Sequence, residues 1–253
     1  MDIDAYLQRL NYDGPRTRTI ATLRALHQAH LISVPFENLD IHLGRPIALE
    51  EEALYDKIVR QRRGGFCYEL NGLFAVLLRE LDFEVNLLSG RVMENGKFGP
   101  EFDHLTLIVQ LEQRGLADVG FGDSFREPLR LDECNDQVQH GVAYRLSHSG
   151  EQWTLRRRLP GKDWEPQYCF TLQPHRLVEF DGMCHYHQTS PASHFTQKRI
   201  CTRATPEGRV TLSDMRLIIT ANGQRQETVL QDEDEYRHAL QEHFGIDLTI
   251  SKS

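Results

Sequence analysis

The chain lacks the sequence features that mark several protein classes. No uninterrupted apolar run approaches the roughly 18–20 residues that a membrane-spanning helix needs. The N-terminal stretch MDIDAYLQRL carries acidic residues where a secretory signal would carry basic ones. The five cysteines are odd in number and have no CxxC spacing, so they indicate neither a disulfide framework nor a zinc ribbon. We therefore expect a cytoplasmic protein that has no membrane partner.

Positive charge is also scarce. The formal net charge over 253 residues is -8. A protein that neutralises nucleic-acid phosphates concentrates Lys and Arg on one surface, so we exclude nucleic acid as the main partner. Hydrophobic residues make up 40% of the chain and charged residues 26%, which is ordinary for a folded globular protein. The chain shows no internal repeat and no low-complexity linker.

Helical patterns fill the first third of the chain. Capping residues and acidic first turns predict three helices, one capped by Asp2 or Asp4, one capped by Thr17 or Thr19, and one running from Leu49 to Arg62. Pro35 keeps the segment SVPFENLD, between the second and third helices, off helix. A further helix begins at Cys67, where CYELNGLFAVLLREL has apolar residues at three- and four-residue steps.

Residues after Asp82 follow a period of two, which is typical of β-strands. Turn residues separate the predicted strands, which are Val85 to Val92, Leu105 to Leu111, Leu116 to Val119, Val142 to Ser147, Trp153 to Arg158 and Tyr168 to Leu172. Many short strands at this spacing predict a barrel or a sandwich. Beyond about Gln188 we expect hairpin strands and then a helix from Asp232 to Phe244, ended by Gly245.

Cys67 is the candidate nucleophile. A thiol in the first turn of a helix lies close to unpaired backbone N–H groups and to the positive end of the helix dipole, and both favour the thiolate. Leu70, Asn71 and Phe74 share its helix face, so the sulfur is expected to point into the protein. The alternative is a small buried hydrophobic residue with no reactivity.

A thiolate needs a base and a group that orients the base. His104 opens one predicted strand, and Asp118 lies in the next one. Antiparallel pairing through a short turn would place His104 opposite Phe121, about 10 Å along the strand from Asp118 at a rise of about 3.3 Å per residue. We expect a bulge or strong twist at Gly120 or Gly122 to bring the two side chains together.

A second cluster of possible ligands leaves a metal site open as an alternative. Cys184, His185 and His187, followed by His194, lie in the segment MCHYHQTSPASHF. Their spacing matches no zinc pattern, and we interpret the segment as a loop that enters a strand. We expect no metal.

Several motifs resemble those of the arylamine N-acetyltransferase family. They are RRGGFCYELNGLF, SVPFENLD upstream of it, and DHLTLIVQL followed by ADVGFGDSF downstream. The resemblance covers nearly the whole chain. It implies an α+β fold with a transglutaminase-like cysteine-enzyme core, divided into an N-terminal helical domain over 1–83, a central antiparallel β-barrel over 84–187 and a C-terminal α/β lid over 188–253.

The resemblance also implies the chemistry. Cys67, His104 and Asp118 would be the catalytic triad of an acyltransferase, and acetyl-CoA would be the co-substrate. The acceptor would be a small aromatic amine, a hydrazine or an N-hydroxyarylamine. Transfer would follow ping-pong kinetics through an S-acetyl cysteine.

Further site residues follow from their positions in the family's motifs. We expect the segment before His104 to contact coenzyme or acceptor and three phenylalanines to line an aromatic pocket, unless they are ordinary core residues. The full set is Phe36, Gly99, Pro100, Glu101, Phe102, Asp103, Gly120, Phe121 and Phe125. Asp123 and Phe125 stand where eukaryotic members have a basic residue and a tyrosine, so we expect a pocket of the bacterial type.

Glu37 and Arg63 are expected to support the site as a buried ion pair. Arg63 belongs to the turn that presents Cys67, and Glu37 belongs to the loop after Pro35. Such a pair would fix the loop against the turn.

Two other classes of protein remain as alternatives. A cysteine hydrolase or a transglutaminase-like enzyme acting on peptides or amides would use the same three residues. A non-catalytic binding module could keep the fold, but it would be expected to have lost one of them. Cys67, His104 and Asp118 are all present.

Overall fold

The computed structural model of the protein describes residues 1–248. Helices dominate the N-terminal part, in the order α1 (Ile3–Arg9), α2 (Ile20–Ser33), the two-residue strand β1 (Phe36–Glu37), α3 (Leu39–His42), α4 (Glu51–Tyr55), a π-helical turn (Asp56–Arg60) and α5 (Cys67–Glu80). Asp2 caps α1 and Thr19 caps α2, each through a side-chain oxygen that accepts a backbone N–H. Two of the predicted caps are therefore confirmed.

Two predictions for this part need correction. The helix predicted from Leu49 to Arg62 begins at Glu51 and widens to π-helical geometry at Asp56. The segment around Pro35 does not remain an irregular loop, because β1 pairs with a strand from the other end of the chain. The pattern of a single segment cannot reveal such a distant partner.

The strands that follow form a large antiparallel sheet: β2 (Glu84–Glu94), β3 (Lys97–Phe98), β4 (His104–Gln110), β5 (Gly115–Ala117), β6 (Leu129–Arg130), β7 (Gln137–Gln139), β8 (Val142–Ser149), β9 (Gln152–Arg158) and β10 (Glu165–Phe170). Their spatial order is β6-β5-β4-β2-β10-β9-β8-β7, and β3 pairs with the end of β2. The sheet curls into a nearly closed barrel.

Side-chain amides connect the two edge strands of this barrel. Gln137 on β7 accepts the N–H of Arg130 at 2.8 Å and donates to its carbonyl at 2.9 Å. Gln139 accepts the N–H groups of Arg126 and Glu127 and donates to the Glu127 carbonyl at 2.8 Å. These amides satisfy backbone groups that an open sheet edge would leave unpaired.

The C-terminal part adds α6 (Asp181–Thr189), α7 (His194–Gln197), β11 (Ile200–Thr205), β12 (Gly208–Ser213), β13 (Arg216–Ala221), β14 (Gln224–Val229) and α8 (Glu233–Phe244). The helices α6 and α7 occupy the segment that we predicted to be a loop entering a strand, so that prediction is wrong. The predicted terminal helix is confirmed, and Gly245 ends it in the left-handed conformation at a φ of 68°.

The second sheet joins the two ends of the chain in the order β1-β11-β12-β13-β14. Next to β1, the Asn38 side chain donates to the carbonyls of Phe195 and Lys198 and accepts the N–H of Ile200 at 2.8 Å. The α+β fold class is confirmed, whereas the division into three domains stays a prediction. Within the described residues, no helix has both the length and the apolarity needed to cross a membrane.

Candidate active site

Cys67 is the first residue of α5 and is 3% exposed. The Glu69 carboxylate accepts the N–H of Phe66 at 3.1 Å and so closes the first turn of this helix. Cys67 and His104 line one cavity of about 890 Å³, which lies between the start of α5, the barrel and the C-terminal part. The helix start thus presents its thiol to this cavity.

His104 and Asp118 lie side by side on the barrel. His104 Nε2 is 2.7 Å from Asp118 Oδ2. In the observed register Leu107 faces Ala117, and its continuation places Asp118 opposite Thr106, on the sheet face that His104 shares. Our predicted register was displaced by one residue and is wrong. No bulge is needed, because the pair is a diagonal contact on one face.

Asp118 is held by hydrogen bonds on both oxygens. Asn71 Nδ2 and the Gly120 N–H donate to Oδ1 at 2.9 and 3.0 Å, and the Tyr168 hydroxyl donates to Oδ2 at 3.0 Å. Burial alone would raise the pKa of Asp118, but the positive charge of His104 and these hydrogen bonds outweigh it and lower the pKa. The carboxylate is therefore fixed in position and ionised.

The residues that support Asp118 were not predicted from the sequence. Asn71 carried a signal, since it lies four residues after Cys67 on the same helix face. Tyr168 comes from β10, and His27 Nε2 accepts the Asp118 N–H at 3.1 Å from α2. Burial lowers the pKa of His27 to about 4, so this imidazole is neutral at pH 7. Neither Tyr168 nor His27 belongs to a motif that connects it to the site.

The thiol of Cys67 is in an environment that penalises its charge. Burial raises the pKa of Cys67 well above its ordinary value, and the charge of Asp118 adds to this effect. A hydrogen bond with the Leu105 backbone acts in the opposite direction. The charged form of this buried sulfur is disfavoured, so the thiol keeps its proton until another group accepts it. Formation of the thiolate therefore requires a nearby group that accepts the proton and becomes positively charged.

Gly120 allows the barrel to approach the start of α5. A Cβ atom at this position would lie 2.7 Å from Asn71 Nδ2 and 2.8 Å from Cys67 Cα. Any side chain here would push the helix start away from the strand end that carries Asp118. Gly120 also lines the cavity.

The structure brings only part of the predicted pocket to the cavity. The predicted residues that line it are Phe36, Gly99, Pro100, Asp103, Gly120 and Phe121. Glu101, Phe102 and Phe125 do not. Glu101 accepts a hydrogen bond from Ser89 at 2.9 Å, and its side chain is 60% exposed.

The two phenylalanines outside the cavity are core residues. Phe125 is 1% exposed and stacks on His27 with ring centroids 5.7 Å apart. Phe102 packs edge-on against Phe180 at 5.1 Å. A motif position does not reveal which way a side chain points, and here both rings turn inward to bury apolar surface.

The predicted contact between Glu37 and Arg63 is present, within a larger buried network. Arg63 Nη2 lies 2.7 Å from Glu37 Oε1, and Arg63 Nη1 lies 3.1 Å from Asp40. Lys57 lies 2.8 Å from Asp40 and 2.7 Å from Glu69. Glu69 caps α5, so the network connects the loop at β1 to the helix turn that carries Cys67.

The composition of this network explains the titration of Glu69. Two buried cations, Lys57 and Arg63, face three carboxyl groups, and the exposed Arg45 reaches only Asp40, at 3.9 Å. Burial raises the pKa of Glu69 to about 7, and the nearby charge of Glu37 contributes, although Lys57 opposes the shift. Glu69 is therefore the carboxyl group that most readily holds a proton near neutral pH.

The free energy of unfolding is expected to fall as the pH rises towards neutrality. Because the pKa of Glu69 is raised from 4.5 to about 7 in the folded protein, the folded state holds a proton that the unfolded chain releases. This contribution to stability is fully present below the pKa of the unfolded chain, 4.5, and is lost as the pH rises through the folded-state pKa of about 7. In Glu69→Gln the pH dependence should be smaller, as measured by denaturant melts between about pH 5 and pH 8.

Glu80→Gln is the matched control, because Glu80 is an exposed carboxylate at the other end of α5. It should keep the pH dependence of the parent. An equal slope in Glu69→Gln and the parent would show that Glu69 does not hold this proton.

The residues considered as metal ligands are arranged differently from a metal site. His187 Nε2 lies 3.2 Å from Asp103 Oδ1, and Cys184 accepts a hydrogen bond from Gln188. Among residues 1–248, no group of three or more His, Cys, Asp or Glu side chains is arranged to hold a metal ion.

The fold and the geometry of the site together define a class of protein. A thiol at a helix start that shares a cavity with an imidazole–carboxylate pair on an antiparallel barrel is the arrangement of transglutaminase-like cysteine enzymes. A family model described as N-acetyltransferase matches residues 19–253. The chain belongs to the arylamine N-acetyltransferase family, which is a family of acyltransferases.

Individual relatives agree with this assignment. The arylamine N-acetyltransferase of Mycolicibacterium smegmatis is 37% identical over 98% of this chain and 93% of its own length. An arylamine N-acetyltransferase / N-hydroxyarylamine O-acetyltransferase of Salmonella typhimurium is 37% identical over 96% of this chain and 88% of its own.

Solved structures give the same result. The arylamine N-acetyltransferase from Salmonella typhimurium has a TM-score of 0.91 at 34% identity and covers 99% of this chain and 94% of its own. The Mycobacterium marinum enzyme in complex with CoA has a TM-score of 0.91 at 33% identity, with 98% and 94% covered. A peptide-directed cysteine hydrolase or transglutaminase is not favoured by these relatives.

Proposed function

We propose that this enzyme transfers an acetyl group from acetyl-CoA to small aromatic amines, through an acetyl thioester on Cys67. The observation that carries the proposal is the convergence of Cys67 with the His104–Asp118 pair in one cavity. The names of the relatives and the CoA complex of one of them support the donor and the class of acceptor.

In the first half of the reaction, the imidazole of His104 takes the proton of the Cys67 thiol. The resulting thiolate attacks the thioester carbon of acetyl-CoA, and a new C–S bond forms as the C–S bond to coenzyme A breaks. His104 gives the proton to the departing coenzyme A thiolate and becomes neutral again. Asp118 holds the imidazole in position and stabilises its charged form. The Cys67 backbone N–H, at the helix start, is the proposed donor to the oxyanion.

In the second half, the amine nitrogen attacks the acetyl carbon on Cys67. The C–N bond forms, the C–S bond breaks, and a nitrogen proton passes through His104 to the departing thiolate of Cys67. Hydrazines and N-hydroxyarylamines are proposed as further acceptors, since each has a nucleophilic nitrogen or oxygen of similar size. The cavity walls proposed to hold the substrates are Phe36, Gly99, Pro100, Asp103, Gly120 and Phe121.

Ping-pong kinetics are the expected signature, because both substrates use one cavity in turn. Initial rates measured against acetyl-CoA at several concentrations of an arylamine should give parallel double-reciprocal lines. Lines that intersect would indicate a ternary complex and direct transfer, which would contradict the thioester intermediate. Hydrolysis of peptides or amides without any use of acetyl-CoA would support the alternative hydrolase instead.

A further inference from the structure

The cavity beside Cys67 contains a second imidazole–carboxylate pair. His187 Nε2 lies 3.2 Å from Asp103 Oδ1, and His187 Nδ1 lies 3.0 Å from Ser193 Oγ. The three residues come from the turn before β4, from α6 and from the start of α7, and all three line the cavity. The two half-reactions of acetyl transfer give Asp103, His187 and Ser193 no specific role.

The two pairs present different chemical groups to the cavity. In the first pair the Asp118 carboxylate is 0% exposed, and His104 uses Nε2 to bind it. No other hydrogen bond from the His104 ring is made within residues 1–248, so its Nδ1 can serve as the base. In the second pair both ring nitrogens of His187 are engaged, and the Asp103 carboxylate is the more exposed member at 17%. The first pair offers an imidazole, and the second offers a carboxylate.

Asp103 is held in a built site. Its Oδ2 accepts the N–H of Val92 at 3.3 Å, and its backbone carbonyl accepts the Tyr68 hydroxyl at 3.2 Å. Gly99 leaves room for the carboxylate, since a Cβ there would lie 2.5 Å from Asp103 Oδ2. The local chain is therefore arranged around this carboxylate and fixes its direction.

His187 is fixed just as firmly from the other side. Its ring packs on Tyr68 with centroids 6.2 Å apart and an interplanar angle of 30°, and it meets Phe195 edge-on at 5.2 Å. Ser193 Oγ also accepts the N–H of Phe195 as the cap of α7. A ring enclosed in this way can hold Asp103 but cannot turn a nitrogen towards a substrate.

The Asp103 carboxylate and the Cys67 thiol line the same cavity. Burial is the largest influence that raises the pKa of Cys67, and the charge of Asp103 adds to it after those of Asp118 and Cys184. Asp103 also immediately precedes His104, and Tyr68 immediately follows Cys67. A nucleophile that approaches the acetyl group on Cys67 therefore enters a cavity lined by both the His104 imidazole and the Asp103 carboxylate.

We infer that Asp103 determines acceptor specificity by accepting a hydrogen bond from the attacking nitrogen, and that His187 and Ser193 position its carboxylate for this role. The inference rests on the proposed function. As the C–N bond forms and the C–S bond to Cys67 breaks, one nitrogen proton passes to His104. The other hydrogen stays on nitrogen and remains hydrogen-bonded to Asp103, which takes no proton.

This arrangement favours acceptors that have two hydrogens on the attacking atom. Primary arylamines and hydrazines meet both requirements. A secondary amine, or an acceptor that attacks through a hydroxyl oxygen, has one hydrogen for His104 and none for Asp103. It leaves the carboxylate, which is only 17% exposed, without its partner, and such a loss is costly.

Asp103→Asn tests the inference because it removes the charge and keeps the shape. The measurement is the ratio of kcat/KM for a primary arylamine to that for its N-methyl derivative. The steric cost of the methyl group is common to both proteins and cancels in the comparison. Loss of a charge-assisted hydrogen bond should reduce the ratio by about tenfold or more.

Glu101→Gln is the matched control, since Glu101 is a carboxylate of the same turn that points away from the cavity. It should keep the parent's ratio. His187→Leu should reduce the ratio, and His187→Gln, whose amide can still donate to Asp103, should retain more of it. This second position tests the inference even if Asp103→Asn does not fold.

The intact mass of the same protein samples, measured after mixing with acetyl-CoA, reports whether Cys67 becomes acetylated. If the parent is not acetylated, the proposed function fails, and the inference fails with it. If the parent is acetylated but Asp103→Asn and His187→Leu keep the parent's ratio, the inference alone is overturned.

Discussion

Asp118→Asn is expected to lower kcat/KM for acetyl transfer by about 10³- to 10⁴-fold while the protein stays folded, by analogy with triads that lose their carboxylate. The Asp118 carboxylate accepts from His104 Nε2 at 2.7 Å and is itself fixed by three other donors. An amide can neither stabilise the imidazolium nor enforce the tautomer that leaves Nδ1 free for the thiol proton.

The physical basis of this effect is a proton shared between two residues. Burial holds the pKa of the Cys67 thiol high while the imidazole is neutral. We expect a thiolate to form only when His104 takes the proton of Cys67. Asp118 favours the charged imidazole and through it the thiolate. Without that charge, the proton should return to the sulfur.

The rate of alkylation by iodoacetamide, measured against pH, follows the thiolate directly. The parent should react below neutral pH, and Asp118→Asn should require a pH near or above that of an ordinary thiol, about 8.5. Asp132→Asn is the control, because Asp132 is a surface carboxylate paired with Arg114. If Asp118→Asn reacts below neutral pH as fast as the parent, Asp118 does not orient the base, and Asp103 or Asp123 becomes the candidate.

Arg63→Met is expected to lower the free energy of unfolding by about 3–5 kcal/mol, since it leaves the buried charge of Glu37 without its partner. Glu37→Gln should also destabilise the protein, but by less, because Arg63 keeps its ion pair with Asp40. Arg63 and Glu37 are 6% and 0% exposed at their side chains, and their charged atoms lie 2.7 Å apart. The loss in the double variant should be clearly less than the sum, because neither charge is then left alone.

Asp40 and Lys57 make this test more specific. Arg63 also binds Asp40 at 3.1 Å, and Lys57 binds the same residue at 2.8 Å. Removal of Arg63 therefore leaves Asp40 with a remaining cation, but leaves Glu37 with none among its ion pairs in residues 1–248. Glu37→Gln should restore most of the stability that Arg63→Met removes.

Denaturant melts give the stabilities, and activity per folded molecule separates folding from chemistry. The control is the exposed pair Arg16 and Asp4, whose side chains are 53% and 77% exposed. Its loss should cost under about 1 kcal/mol. If Arg63→Met and Glu37→Gln each cost under about 1 kcal/mol, the pair does not support the Cys67 turn. The same conclusion would follow if the loss in the double variant equalled the sum of the two single losses.

The local parts of the site followed from the sequence because they depend on neighbouring residues. The spacing of Leu70, Asn71 and Phe74 after Cys67 predicted a helix that begins at the thiol and turns it inwards, and Cys67 is 3% exposed at that helix start. The position of Asp118 could be predicted only approximately. A change of one residue in register moves a side chain to the other face of a sheet, and hydrophobic patterns do not fix a turn to that accuracy.

The long-range parts of the site left no local signal. Tyr168 is 50 residues from Asp118 along the chain but donates to its carboxylate. His187 appeared in a cluster that suggested metal ligands, whereas the helix α6 turns its ring towards Asp103, 84 residues away. Phe125 occupies a pocket position in the family's motif, yet its ring turns to the core beside His27. Only the assembled fold decides such directions.

The most direct test of the central claim is the intact mass of the protein after mixing with acetyl-CoA in the absence of an acceptor, with peptide mapping of the product. The parent should gain one acetyl group, located on Cys67, and should lose it when an arylamine is added. Cys67→Ser should gain no thioester. An acetyl group found on Cys134, Cys169, Cys184 or Cys201, or an unchanged mass in a parent that still acetylates the amine, would contradict the account.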